Sequence, residues 1–197
     1  MSVFTDIMRQ GLDSRVVPAR TQQSRDWYRT MASTSTTTPT AIMREERRVN
    51  SVQMGQMYFF MYDPKLKEKL PYYDTFPLIF PFNTTDNGFL GINMHYLPLI
   101  YRAKLMDSLY NLTSDKRYDF NTKLNISYKI LSGAAGSIYY KPCVKQYLNG
   151  HVRSRFIEIP ANQWDIALFL PVEQFQKKTT SQVHQDINKQ LARNLWR

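Results

Sequence analysis

The stretch from Gly55 to Leu97 constrains the fold more than any other part of this 197-residue chain. It concentrates aromatic and β-branched residues, and turn formers punctuate it at short intervals. Met57 to Tyr62 is an unbroken apolar and aromatic run, the pattern of a strand covered on both faces. Asp63-Pro64 stops it, because proline has no N–H to give to a ladder. A charged excursion, Lys65 to Lys69, leads through Leu70–Phe76 to a second strand, Pro77 to Phe82, whose prolines favour an edge position. Asn87-Gly88 closes a tight hairpin in which Gly88 is expected to take a positive φ, and Gly88 to Met94 is the third strand. The pattern predicts an α+β fold: a small bent antiparallel sheet or SH3-like barrel followed by several short helices. Phe59, Phe60, Ile79, Phe89 and Ile92 form its expected core.

Beyond Leu97 the period becomes helical. Pro98 suits a first turn, and Tyr101, Leu105, Leu109 and Leu112 mark one apolar face, with Arg102, Lys104 and Asp107 off it. Residues 121–131 fit a helix through Leu124, Tyr128 and Leu131, or a strand through Leu124, Ile126, Tyr128 and Ile130. The polar start at Asn121-Thr122 and the stop at Ser132-Gly133 favour the helix. Lys141 to Leu148 reads as a short helix with Pro142 at its first position. Arg153 to Ile159 reads as a strand stopped by Pro160, and Asn162 as the cap of a turn carrying Trp164. Val183, Ile187, Leu191 and Leu195 recur every fourth residue on a basic tail helix, a narrow stripe that needs another surface to cover it.

The first 54 residues lack the pattern of a domain. Their eight basic side chains are all arginine, and the first lysine is Lys65. Arginine's planar fork suits carboxylate, phosphate and aromatic partners. Ser24 reads as the cap of one short helix holding Trp27 and Tyr28, Ala32 to Thr40 as an extended linker, and Ile42 to Arg48 as a short basic helix. The expected organisation is an extended arm (1–54), a globular domain (55–176) and a tail helix (177–197). Trp27, Tyr28, Val183, Ile187, Leu191 and Leu195 are the candidate partner-binding residues.

Charge narrows the function. The chain carries a net +10, and residues 141–197 hold nine basic against four acidic side chains. Such a surplus attracts polyanions, phosphate backbones above all, though acidic protein neighbours would serve as well. Lys141, Lys145, His151, Arg153 and Arg155 interleave with Tyr139, Tyr140, Tyr147 and Phe156, a mixture suited to phosphate contacts and base stacking. Equally, Tyr147 and Phe156 could be core and the charges a solvated face. Lys141, Lys145, Arg153, Arg155, Lys177 and Lys178 are the candidate nucleic-acid-binding residues.

Enzymatic chemistry is not expected. His95, His151 and His184 lack metal-ligand spacing, and no nucleophile elbow, phosphate-binding loop or dinucleotide fingerprint occurs. Asp63, Asp74 and Asp86 read as turn residues rather than a metal-nuclease cluster. The single cysteine, Cys143, excludes an internal disulfide and reads as a small buried residue more readily than as a nucleophile. No cofactor or metal is expected. No apolar run approaches the roughly 20 residues that span a bilayer, and the N-terminus does not read as a secretory signal.

Blocks across the centre of the chain carry a family likeness. Tyr62-Asp63-Pro64-Lys65, Leu70-Pro71-Tyr72-Tyr73-Asp74, Phe76-Pro77-Leu78-Ile79, Gly88–Asn93 and His95-Tyr96-Leu97-Pro98 resemble a virion protein family of T4-like tailed phages. Lys141-Pro142-Cys143, His151–Phe156 and Trp164–Pro171 are similar to later blocks of the same family, so the likeness spans roughly residues 45–175. The resemblance implies a virion-located, non-enzymatic DNA end protector and head completion protein. Its partners would be double-stranded DNA ends and other virion subunits, with no membrane, and it would aid head–tail joining. The alternative is a purely structural connector of the neck, tail or baseplate hub. The resemblance carries no motif whose functional residues transfer position by position.

Overall fold

In the computed structural model, which describes residues 3–16, 21–45, 47–113 and 117–195, the apolar run at Met57 forms a strand with neighbours on both sides. The strands in chain order are β1 (Arg48–Val49), β2 (Met57–Phe59), β3 (Tyr73–Asp74), β4 (Leu78–Thr85), β5 (Gly88–Asn93), β6 (Val144–Leu148), β7 (Phe156–Ile159) and β8 (Phe175–Gln176). Six of them form one sheet in the order β1-β7-β2-β4-β5-β6, with all pairs antiparallel, while β3 and β8 pair separately. The sheet is open, so the SH3-like alternative is corrected. Closure would require β1 to meet β6, and four strands lie between them.

Two local expectations also change. β4 is interior rather than an edge, and it tolerates Pro81 because the ladder shifts register between Pro81 and Asn83. The Pro81 carbonyl is used instead by the Gly55 N–H, at 3.0 Å. Gly88 does not take a positive φ. Its requirement is steric, since a Cβ there would stand 1.8 Å from the Tyr147 carbonyl oxygen on β6. β6 itself replaces the helix expected over 141–148. Only Lys141–Cys143 coil, as a single 3-10 turn led by Pro142, before the chain extends.

The helices are α1 (Val3–Asp13), α2 (Gln22–Ser33), α3 (Pro39–Glu45), α4 (Leu99–Thr113), α5 (Phe120–Gly136), α6 (Trp164–Phe169) and α7 (Thr180–Leu195). Asp119 caps α5 by accepting the Thr122 N–H at 2.8 Å, which settles residues 121–131 as helix. One face of the sheet, through Met57, Phe59, Leu78, Phe80, Ile92, Ile157 and Ile159, packs on residues from all seven of these helices. The opposite face buries a smaller aromatic set, Tyr58, Phe60, Tyr62, Phe89, Tyr147 and Phe156, under Val49, Val52, Met54 and Val152. All five expected strand residues are buried, with Leu105 and Leu109 from α4.

The N-terminal segment is helical rather than extended, and it joins this core through Phe4, Ile7, Tyr28, Ala32 and Ile42. Thr21, not Ser24, is the N-cap of α2; Ser24 completes a reciprocal capping box with it. Two arginines of α2 are spent inside the chain. Arg25 Nη1 donates to Asp107 Oδ1 at 2.8 Å, and Arg29 Nε donates to Asp165 Oδ1 at 3.0 Å. The tail behaves likewise. Val183, Ile187 and Leu191 are buried in the same core, so the surface their stripe needs is supplied by the chain itself. The Leu112 and Leu195 side chains lie outside the described residues.

Arg102 overturns a further expectation. It falls off the apolar face of α4, yet it is 1% exposed. Its Nε donates to the Leu97 carbonyl at 2.7 Å, Nη1 to the Leu168 carbonyl at 2.7 Å, and Nη2 to the His95 carbonyl and Glu173 Oε1 at 3.1 and 2.6 Å. Burial pushes the Glu173 carboxyl up, but His95 and Arg102 pull harder, and it ends below the usual carboxylate range. A buried charge satisfied on all sides is costly to break, because its partners are left desolvated.

Three stability outcomes follow from this packing. Arg102→Ala should cost roughly 3–5 kcal/mol, read as a lower urea midpoint; an unchanged midpoint would reject the buried network. Because the Glu173 carboxyl is depressed in the folded chain, its stabilisation is complete above the unfolded value near pH ~4.3 and is lost as pH falls through the lower folded value. The stability gap between the parent and Glu173→Gln should therefore narrow on acidification below that value, and a gap constant to pH 3 would contradict the assignment. Gly88→Val should fail through collision with β6 rather than turn strain. Gly88→Ala, which also adds a Cβ, should therefore lower the melting temperature as well, and a silent Gly88→Ala would count against the close approach of β5 to the Tyr147 carbonyl.

Candidate nucleic-acid interface

β6 is an edge strand, and its free edge lines a groove of about 490 Å³. The far wall is the loop from Tyr62 to Tyr73, and the floor holds Asp74, Asn93, Tyr96 and Tyr147. In an antiparallel pair, backbone groups point alternately toward and away from the neighbouring strand. The Leu148 N–H points away from β5 and donates to the Tyr62 hydroxyl at 3.1 Å. The register sends the Gln146 N–H in the same direction, toward the groove.

Two lysines line this groove, Lys65, which is exposed, and Lys145, which is not. Lys145 is half-buried, and its ammonium stands 4.3 Å above the centre of the Tyr96 ring. Among the described residues no carboxylate lies within ion-pair distance of it. Burial pushes the Lys145 ammonium below the usual lysine range, as expected for a charge held from water without a counter-ion. Asp74 is the one carboxylate among the lining residues, and its oxygens are already engaged. It accepts from the Phe76 N–H at 3.1 Å and from Asn93 Nδ2 at 3.1 Å, and it faces His95 Nδ1 at 2.8 Å. Asn93 also donates to the Tyr147 hydroxyl at 3.0 Å. Asp74 is thus a floor-building residue, not merely a turn former.

The other candidates separate. Lys177 adopts a left-handed backbone, φ 69°, and its Nζ donates to the carbonyls of Lys67, Glu68 and Leu70 at 2.8–2.9 Å. It pins the groove's loop wall rather than facing a ligand. Lys178 pairs with Asp186 and lies 5.0 Å from the centre of the Tyr72 ring. Arg153 borders an adjoining hollow shared with Tyr73 and reaches Asp63 at 3.7 Å. Arg155 is exposed in a different hollow, beside Phe89 and Phe156. Lys141 is exposed on the 3-10 turn before β6. Tyr147 and Phe156 are buried core residues, while Tyr139 is 39% exposed.

The candidate partner-binding side chains are placed as follows. Tyr28 is buried, and Trp27 is half-buried with its ring edge-on to Tyr28 at 5.0 Å. Val183, Ile187 and Leu191 are interior. Cys143 is fully buried, and burial pushes its thiol up to about 12, which removes the thiolate a nucleophile needs. Among the described residues, no group of three or more His, Cys, Asp or Glu side chains could hold a metal ion. No helix among them is long and apolar enough to cross a membrane.

No curated protein and no solved structure matches the chain. A family model does, over residues 2–191, which takes in α1–α3 and most of α7 as well as the blocks between them. With almost its whole length matched, the chain belongs to the phage T4 terminal DNA protecting protein family.

Proposed function

We propose that this protein binds the ends of linear phage DNA and shields them from exonucleases as a virion component, without catalysing a reaction itself, and that capped ends leave heads ready for tail joining. The observation that carries the reading is the family match across residues 2–191. The charge supports it: a net +10 draws in a polyanion at long range. The groove along β6 supports it at short range, with an uncompensated Lys145 among tyrosines. An end differs from the rest of a duplex in offering an unstacked base face and a terminal phosphate. A groove that is cationic and aromatic suits both.

A connector of neck, tail or hub is the second reading, favoured by one surface. Leu99 and Ile100 at the start of α4 are 52% and 62% exposed, and Ile138 and Tyr139 after α5 are each 39% exposed. Tyr101 and Tyr139 lie 6.0 Å apart, which joins the two segments. Apolar side chains clustered in this way suit a contact with another subunit.

Purified protein should protect linear duplex DNA from an exonuclease and leave an endonuclease's rate on the same DNA unchanged. If about four phosphates are contacted, affinity should fall on the order of 100-fold between 50 and 200 mM salt. Equal affinity for linear and nicked circular DNA would remove end recognition. Absence of DNA binding at 50 mM salt, together with assembly onto other virion subunits, would replace the reading with the connector.

A further inference from the structure

The groove along β6 has a property that duplex binding does not explain. It places a desolvated ammonium, Lys145, in a hollow where the one lining carboxylate among the described residues is already taken by Phe76, Asn93 and His95. Among the described residues, a cation so placed is offset by the Tyr96 ring and by no carboxylate, and cation–π attraction is weaker than a charge pair. The site is therefore complementary to an anion, and Gln146 on the free edge of β6 lines the same groove.

The aromatics add a second, independent observation. Tyr62, Tyr72, Tyr96 and Tyr147 each have a ring partner within 6.4 Å. Tyr73 has none among the described residues, is half-exposed, and lines both this groove and the hollow beside Arg153. An unpartnered ring beside a cationic pocket is the arrangement that receives a nucleobase. The volume, about 490 Å³, suits a nucleotide-sized ligand rather than a duplex.

We propose that this groove receives a single unpaired terminal nucleotide of the DNA end, its phosphate against Lys145 and its base over Tyr73. The inference rests on the DNA-end reading above and makes it specific, since an end is recognised by fraying one nucleotide into the groove. A closed duplex has no nucleotide to offer and is held by surface charge alone. Unstacking costs least where the terminal base is already unpaired, so such ends bind tightest.

The test uses the full chain and two duplexes of one sequence. One carries an unpaired terminal 2-aminopurine, and the other is closed by hairpin loops at both ends with 2-aminopurine inside the stem. The parent should bind the open end at least 10-fold more tightly, quench the terminal fluorophore, and leave the internal one unchanged. Lys145→Met keeps the aliphatic stem on Tyr96 and removes the charge, while Tyr73→Leu removes the ring. Each should abolish the preference and the quenching but retain salt-sensitive binding to both duplexes. Tyr73→Phe should restore both, and thermal melts establish that the variants fold. Quenching and preference that survive in both folded variants would overturn the proposal, as would equal binding of the two duplexes by the parent. Loss of all binding by the parent at 50 mM salt would overturn the end-binding reading together with it.

Discussion

The guanidinium of Arg102 is the constraint on which the rest of the molecule depends. It converts the carbonyls of His95, Leu97 and Leu168 and the carboxylate of Glu173 into one fixed constellation. Those four groups belong to the turn after β5, the approach to α4, the end of α6 and the segment before β8. None of these connections is held by a sheet ladder, so a planar fork with fixed donor directions substitutes for one. The His95 carbonyl also faces His184 Nε2 of α7 at 2.8 Å, and burial pushes that imidazole below its ordinary range. The tail helix is thereby tied to the same turn. That turn, Met94–Tyr96, carries Tyr96 beneath Lys145. Stability and the groove's geometry therefore share one anchor.

The groove has the thermodynamic marks of a site. An edge strand leaves backbone groups free, and proteins ordinarily cover or charge such edges. Here the loop from Tyr62 to Tyr73 covers β6 at one point, through the Tyr62 hydroxyl on the Leu148 N–H, and stands back elsewhere. That loop is held from behind by Lys177, whose ammonium takes three of its carbonyls. Lys145, held from water without a carboxylate, is a cost in the free chain. Local rules are broken most often where a ligand is to complete them. The same residue in a purely structural role would be better served by a methionine.

The hydrophobic framework is legible in the sequence because it is local. The unbroken run at Met57, the turn signal between β4 and β5, and the apolar face of α4 are each readable within about a dozen residues. β6 is not legible, since Val-Lys-Gln-Tyr-Leu mixes polar and apolar residues and follows Lys-Pro-Cys, whose proline suits a first helical turn. Its strand state comes from β5, whose own sequence lies more than fifty residues earlier. Arg102 and Asp74 escape sequence reasoning for a related reason. A charged residue off an apolar stripe is normally solvated, and its burial is decided by partners such as Leu168 and Glu173, which no local window contains. Of the groove's key residues, Lys145 stands out in the sequence by its basic and aromatic neighbourhood. Tyr73 does not, because an unpartnered ring is a property of the packed chain alone.

The fate of the N-terminal arginines changes how the charge is to be understood. Arg25 and Arg29 engage Asp107, Asp165 and Asp26, and Arg48 donates to the carbonyls of Met43 and Arg44. Asp165 shows the balance of forces: burial pushes its carboxyl up even with Arg29 beside it. The carboxylate pairs join α2 to α4 and α6 and offset two of the eight arginines in the first 54 residues. Among the later lysines and arginines, Lys65, Lys141 and Arg155 are exposed, and Lys145 is held in its groove. Of the formal +10, the first 54 residues contribute eight arginines against five carboxylates, so most of the surplus lies in the rest of the chain. Under the proposed end-binding reading, long-range steering and short-range recognition would converge on the same strand edge, as a protein that finds a rare terminus on a long uniform polyanion requires.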